Sequence, residues 1–316
     1  MMKKMILVGF TALTVVGSVN AEPRRPVLEA ALKATPSQRF EAARFVRSAY
    51  PNLAEDVHAQ LKAEYPNLER GVIDAGLQTW REHPGEVLAL AKEIKTKFGP
   101  RLLAVRTAVR AEMESSYPDF ENRLQSVLSQ HGLVGKWMKF MKASNPGLAL
   151  RNRAVVNGSV PEASGWYPGK FLKMRLSAQD GSNPLFDKLQ GIVERDPELL
   201  PKLATRLVER VRAESPDLAD DWNKQRFANR RQLREALEAE FPGARDKIVV
   251  VVEKTDPGLV SEVATFARTR NESLRADFRK NLEAHLPGFE GRAQETVEAR
   301  YPDLKGQLLA ILTGAQ

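Results

Sequence analysis

Tyr50-Pro51-Asn52-Leu53-Ala54-Glu55-Asp56-Val57-His58-Ala59-Gln60-Leu61-Lys62-Ala63-Glu64-Tyr65-Pro66-Asn67-Leu68 is the stretch that decides the fold class. Leu53, Val57 and Leu61 recur at every fourth position, and Leu68 and Val72 resume the pattern after the second proline. That spacing draws one apolar face along an α-helix, whereas a half-buried strand would alternate in twos. Proline suits the first helical position, because the N–H it lacks has no partner there. The residue before a proline is pushed out of the α region, so Tyr50 and Tyr65 each close the preceding helix. A helix of about 13 residues, about 20 Å long, is therefore expected between two identical stops.

The same device recurs through the chain. It appears as Tyr117-Pro118-Asp119-Phe120, Ser215-Pro216-Asp217-Leu218, Leu286-Pro287-Gly288-Phe289 and Tyr301-Pro302-Asp303-Leu304, with variants at Asn145-Pro146, Asp196-Pro197 and Asp256-Pro257. An acid after the proline favours the positive end of the helix dipole. Pro84 and Pro100, with Gly99 before the second, bound one further unit. Leu218–Phe241 and Leu259–Leu286 are longer units that fit either continuous helices or helix pairs. The expected fold is all-α: an array of short proline-started helices, arranged as two bundles or as an irregular α-solenoid of duplicated units. In style, not in motif, these helices resemble those of exchangeable apolipoproteins, and the residues of the common helical repeats are absent.

One segment departs from the pattern. Residues 148–190 carry the turn signals Asn157-Gly158-Ser159, Ser164-Gly165, Pro168-Gly169 and Asp180-Gly181-Ser182-Asn183-Pro184. Short strands fit between them at Val155-Val156 and Phe171–Leu176. The domain expectation is an N-terminal helical part over 22–147, a basic turn-rich connector over 148–190 and a C-terminal helical part over 191–316.

Residues 1–21 read as a cleaved bacterial secretory signal. Lys3 and Lys4 precede an apolar run from Met5 to Val16, and Val19-Asn20-Ala21 supplies small or aliphatic residues at −3 and −1 of a cleavage site. The run is shorter than the roughly 20 residues that span a bilayer. The mature chain is therefore expected in the periplasm or outside the cell. There is no cysteine, which removes every disulfide, thiol nucleophile and thiolate metal site.

The net charge of +8 is concentrated. Between Leu133 and Arg175 stand eight bases (Lys136, Lys139, Lys142, Arg151, Arg153, Lys170, Lys173, Arg175) against one acid, Glu162, a balance of +7. At 100° per residue, Leu133, Val134, Trp137, Met138, Phe140 and Met141 share an arc of about 160°, and the three lysines occupy the other side. That composition suits an interfacial helix on an anionic membrane as well as an ordinary packed surface helix. Downstream, Trp166 and Tyr167 sit among Lys170, Lys173 and Arg175, where aromatics stack on rings while cations hold anions. A second cluster, Lys224, Arg226, Arg230, Arg231 and Arg234, lies between Asp220-Asp221 and Glu235/Glu238 and reads as a solvated face with ion pairs along the helix.

Catalytic signals are sparse. His58, His83, His131 and His285 form no metal-ligand spacing, so neither a metal nor a cofactor is expected. Glu114-Ser115-Ser116-Tyr117-Pro118 resembles the Glu-Ser segment of lytic transglycosylases, which implies a general acid at Glu114 acting on peptidoglycan. The Gly-Leu-Met-Gln-type segment of those enzymes has no counterpart, and Asp119-Phe-Glu-Asn-Arg-Leu-Gln-Ser stands in its place.

The functional expectation is a non-enzymatic envelope protein that binds or scaffolds at an anionic surface, lipid headgroups or cell-wall polymer, through its basic aromatic middle. In an exported chain these are more natural partners than nucleic acid. The alternatives are a protein-interaction or chaperone-like helical module, with another envelope protein as partner, and the peptidoglycan-cleaving enzyme.

Overall fold

The computed structural model describes residues 25–144, 147, 191 and 194–315, and among these the regular structure is all helical. The leader expected over 1–21 and the connector over 148–190, with its suggested strands, lie outside the described residues. The helices are α1 (Arg25–Lys33), α2 (Pro36–Ala49), α3 (Leu53–Glu64), α4 (Leu68–Glu82), α5 (Glu86–Ser116), α6 (Phe120–His131) and α7 (Leu133–Ser144), then α8 (Leu199–Glu214), α9 (Leu218–Glu240), α10 (Ala244–Thr255), α11 (Leu259–Arg270), α12 (Glu272–His285), α13 (Phe289–Arg300) and α14 (Leu304–Thr313).

The proline joints end helices where expected, but prolines start them differently. Tyr50, Tyr65, Phe241, Leu286 and Tyr301 leave the α region and still donate their N–H to the carbonyl four residues back. At most joints the proline is not the first helical residue. It occupies the second position of a turn closed by a bond such as Leu53 N–H to Tyr50 C=O (3.1 Å) or Leu304 N–H to Tyr301 C=O (3.1 Å). The next helix begins two residues after the proline, because its fixed φ suits that turn position as well as a first helical turn. Among the described residues α2 follows the expected form: Thr35 caps it, Pro36 is its first residue, and Gln38 completes a capping box.

Pro100 does not end a helix. Helix α5 runs unbroken from Glu86 to Ser116 with Pro100 inside it. Tertiary anchors on both sides hold it: Phe98 is buried and stacked edge-on against Phe266, and Arg101 is paired with Asp256 and Glu262. Of the long units, Leu218–Glu240 is one helix, whereas Asn271 separates α11 from α12.

The described residues group into two compact units, and each draws on both sides of the 148–190 segment. The first contains residues up to 76, 90–115 and 245–316; the second contains 77–89 and 116–244. Within the first unit, helices early in the chain pair with late ones: α1 and α2 with α14, and α3 with α13. One core joins Val27, Ala42 and Leu53 to Leu304, Leu308 and Leu312; another joins Leu61, Leu68 and Ala75 to Leu282, Leu286 and Ala293. Within the second unit, α9 packs on both α6 and α7.

The joints themselves meet across these pairings. Tyr50 and Tyr301 stack edge-on at 5.2 Å. The Tyr50 hydroxyl donates to Gln307, six residues beyond Tyr301, and the Tyr301 hydroxyl donates to Asp56, six residues beyond Tyr50. This reciprocity is a local two-fold relation between two copies of one motif. Tyr65 donates to the Pro287 carbonyl (2.8 Å) and Tyr117 to the Pro242 carbonyl (2.5 Å), so two further pairs of joints are tied, each by a one-way bond to the backbone.

Candidate basic surface of helices α7 and α9

Helix α7 follows α6 with only Gly132 between them. A Cβ there would come within 2.2 Å of the Leu128 carbonyl oxygen, so this abrupt connection needs glycine. The turn lays α7 against α9, which begins at the Ser215-Pro216 joint. Leu218 is buried at that start, one turn before Trp222, and both meet Phe140 of α7; the Phe140 and Trp222 rings are 5.6 Å apart.

Lys136 is turned toward the same neighbour. Its ammonium donates to Asn229 Oδ1 (3.1 Å) and Gln232 Oε1 (2.5 Å) on α9. The sequence arrangement puts all three lysines opposite the apolar arc. Lys136 stands only about 40° from Phe140 around the helix, and its long stem lets the charge reach polar groups at the seam. Amide oxygens solvate that charge without cancelling it. Lys139 is exposed. The side chains of Trp137 and Lys142, and all of Arg151, Arg153, Trp166, Tyr167, Lys170, Lys173 and Arg175, lie outside the described residues.

Helix α9 contributes a second set of bases. From Lys224 to Arg234 there are five bases and no acid. Asn229 and Gln232 face α7, while Arg230, Arg234 and Arg231 stand about 100°, 140° and 200° round the helix from Asn229. All three arginines are exposed. Lys224 is paired with Asp221 at 3.2 Å, and the Arg226 guanidinium lies 4.7 Å from the centre of the Phe227 ring. The flanking acids are partly engaged elsewhere: Glu238 accepts from the Gly243 N–H, and Glu240 accepts from Arg123. Packing α7 on α9 therefore joins two acid-free basic stretches that lie some 90 residues apart in sequence.

Asn229, Gln232 and Trp222 are the functional neighbours that sequence reasoning missed. Leu218 and Trp222, four residues apart at the start of a mostly polar helix, were the available sign of a buried seam.

The remaining candidates have structural surroundings. Glu114 lies half-buried near the end of α5, and the Tyr117 that follows is buried, stacked on Phe241 and bonded to Pro242. The Tyr-Pro of the transglycosylase-like segment is thus another helix joint. His58 bonds Glu69 at 3.0 Å, and His83 bonds Glu86 at 2.9 Å. Among the described residues, no group of three or more His, Asp or Glu is gathered as metal ligands, and no helix is long and apolar enough to cross a membrane. No family model matches the chain, and neither curated proteins nor solved structures match it.

Proposed function

We propose that this chain is an exported, non-enzymatic envelope protein that holds an anionic surface, lipid headgroup or cell-wall polymer, through its basic middle. The observation that carries the reading is the packing of α7 on α9, which brings the helix of Lys136 and Lys139 and the helix of the exposed Arg230, Arg231 and Arg234 into one unit. Eight bases and no acid occupy the stretches Leu133–Ser144 and Lys224–Arg234. Such a density of like charge attracts an extended anion at long range, and salt weakens that attraction steeply.

In this reading residues 1–21 direct export and are removed. The 148–190 segment adds the bases Arg151, Arg153, Lys170, Lys173 and Arg175, with Trp166 and Tyr167 as stacking groups. The proline-jointed helices serve as the scaffold.

The test is co-sedimentation of the purified protein with anionic vesicles and, separately, with peptidoglycan, at low and high salt. Salt-sensitive pelleting with either supports the reading. Failure to pellet with both sinks it and favours a module that binds a protein partner. Release of soluble muropeptides, abolished by Glu114→Gln, would instead establish the enzyme.

A further inference from the structure

We infer that Gly99-Pro100 is a closed hinge in α5, held straight by side chains that bridge the proline to α11, and that it opens into a helix joint when the Arg101 clamp is released.

The fold itself supplies the open form for comparison. Within the first unit, Tyr50-Pro51 meets Tyr301-Pro302 and Tyr65-Pro66 meets Leu286-Pro287. At each of these the helix stops before the proline and the next begins two residues after it. Pro100 is likewise placed against Asp256-Pro257, since Arg101 holds the Asp256 carboxylate through bonds of 2.7 and 2.8 Å. Yet α5 runs straight through it. Where a leucine restarts the helix in this unit, that leucine is buried: Leu53, Leu68, Leu259 and Leu304. Leu102, at the same place after Pro100, is only half-buried, and Leu103 beside it is 46% exposed.

The straight form carries a local cost. Pro100 has no N–H for the Thr96 carbonyl, and its ring crowds that carbonyl. A proline also crowds the Cβ of the residue before it. Gly99 has none, although packing leaves room for one: a Cβ there would meet nothing within 4 Å. Glycine and proline together are where helices bend.

Helix α11 acts as a splint across this weak point. On the N-terminal side, buried Phe98 stacks edge-on against Phe266 at 5.6 Å, and the Lys97 ammonium lies 4.6 Å from the centre of the same ring. On the C-terminal side, Arg101 reaches Glu262, one turn before Phe266, at 2.9 Å while it holds Asp256. The aromatic half of this grip is anchored by buried Phe98, whereas the ionic half is partly exposed and is the half that yields. Releasing it frees the turn from Arg101 to Ala104, while Val105, Val109 and Met113 stay in the core.

The experiment is amide hydrogen exchange on the full chain, read at residues 101–104 and, as an internal reference, at 107–112. Arg101→Met should speed exchange at 101–104 by about tenfold and leave the reference within about threefold. Adding Pro100→Ala to Arg101→Met should bring 101–104 back to within about threefold of the unaltered protein, because a complete hydrogen-bond ladder needs no splint. Glu262→Gln removes one arm of the clamp and should give a smaller increase at the same amides. If Arg101→Met does not fold, Glu262→Gln with and without Pro100→Ala carries the same comparison. Exchange at 101–104 that stays within about threefold in Arg101→Met, or a reference that speeds up equally, overturns the hinge. So does a double variant that exchanges as fast as Arg101→Met alone.

Discussion

Gly71 and Gly76 lie five residues apart on α4, and their surroundings predict opposite outcomes for the same substitution. A Cβ on Gly71 would approach Leu286 Cγ to 2.6 Å, and Leu286 is fully buried. A Cβ on Gly76 would meet nothing within 4 Å. Alanine improves helix propensity by about 1 kcal/mol at either site, but overpacking a filled core costs about 1–3 kcal/mol. Gly76→Ala should therefore raise the urea midpoint and Gly71→Ala should lower it or leave it no higher; a gain at Gly71 would mean that the α4–α12 contact is looser than described. The tyrosine joints belong to the same scale. Tyr65→Phe and Tyr117→Phe each remove a hydroxyl bonded to a proline carbonyl, and each should cost about 1 kcal/mol in a urea melt. Gly243 and Gly288, at φ +69° and +72°, occupy left-handed positions where a side chain is strained, whereas Gly258 at the Pro257 joint stays at φ −83° and Asp119 at the Pro118 joint enters the left-handed region at φ 59°.

At the scale of elements, α5 shows tertiary contacts overriding a local rule. An interior proline removes one helical bond and crowds the preceding turn, at about 3 kcal/mol. Pro100→Ala should therefore stabilise the protein, by roughly 1–3 kcal/mol in thermal or urea unfolding. No change would mean that α5 has already relaxed around the proline.

The joint between α10 and α11 is tied to α5 by charge. Arg101 holds Asp256 through two bonds of 2.7 and 2.8 Å and reaches Glu262 as well. Both carboxyls are held below their ordinary range by the bonded guanidinium, and Glu253 is lowered by the Ser37 side chain at the start of α2. Depressed carboxylates stabilise the fold at neutral pH. Their contribution persists until pH falls to the unfolded carboxyl range of about 4 and is lost below it. The melting temperature should fall as pH drops from about 5 to about 3, and Arg101→Met should flatten that dependence. An equally steep dependence in the variant would place the acid sensitivity elsewhere.

For the whole molecule, the decisive fact is that neither compact unit is made from one half of the chain. A boundary in the turn-rich segment between 147 and 191 is what composition suggests. Yet Leu61, Leu68 and Ala75 are buried against Leu282, Leu286 and Ala293, and α6 and α7 pack on α9. A fragment ending near residue 147 exposes those faces. Each of two fragments, 25–147 and 191–316, should be poorly structured alone, and mixing them should restore helical circular dichroism and a cooperative melt. Two independently folded fragments would show that the halves are self-sufficient.

Much of this molecule is written locally. The spacing of Leu53, Val57 and Leu61 makes a helix because an α-helix repeats every 3.6 residues, and a proline ends the helix before it because its ring excludes the α region at Tyr50 and Tyr65. Such constraints act within a few residues, so the all-helical class and most helix ends are legible without a structure. The partner of each apolar face is not, because many similar amphipathic helices offer similar faces and pairing depends on fit across hundreds of residues. The reciprocal Tyr50 and Tyr301 bonds, the unbroken α5 and the seam of Phe140 with Trp222 all arise at that level. The basic charges divide in the same way: they are plain in the sequence, but the helices that carry Lys139 and Arg230 came together in one unit only when α7 settled on α9.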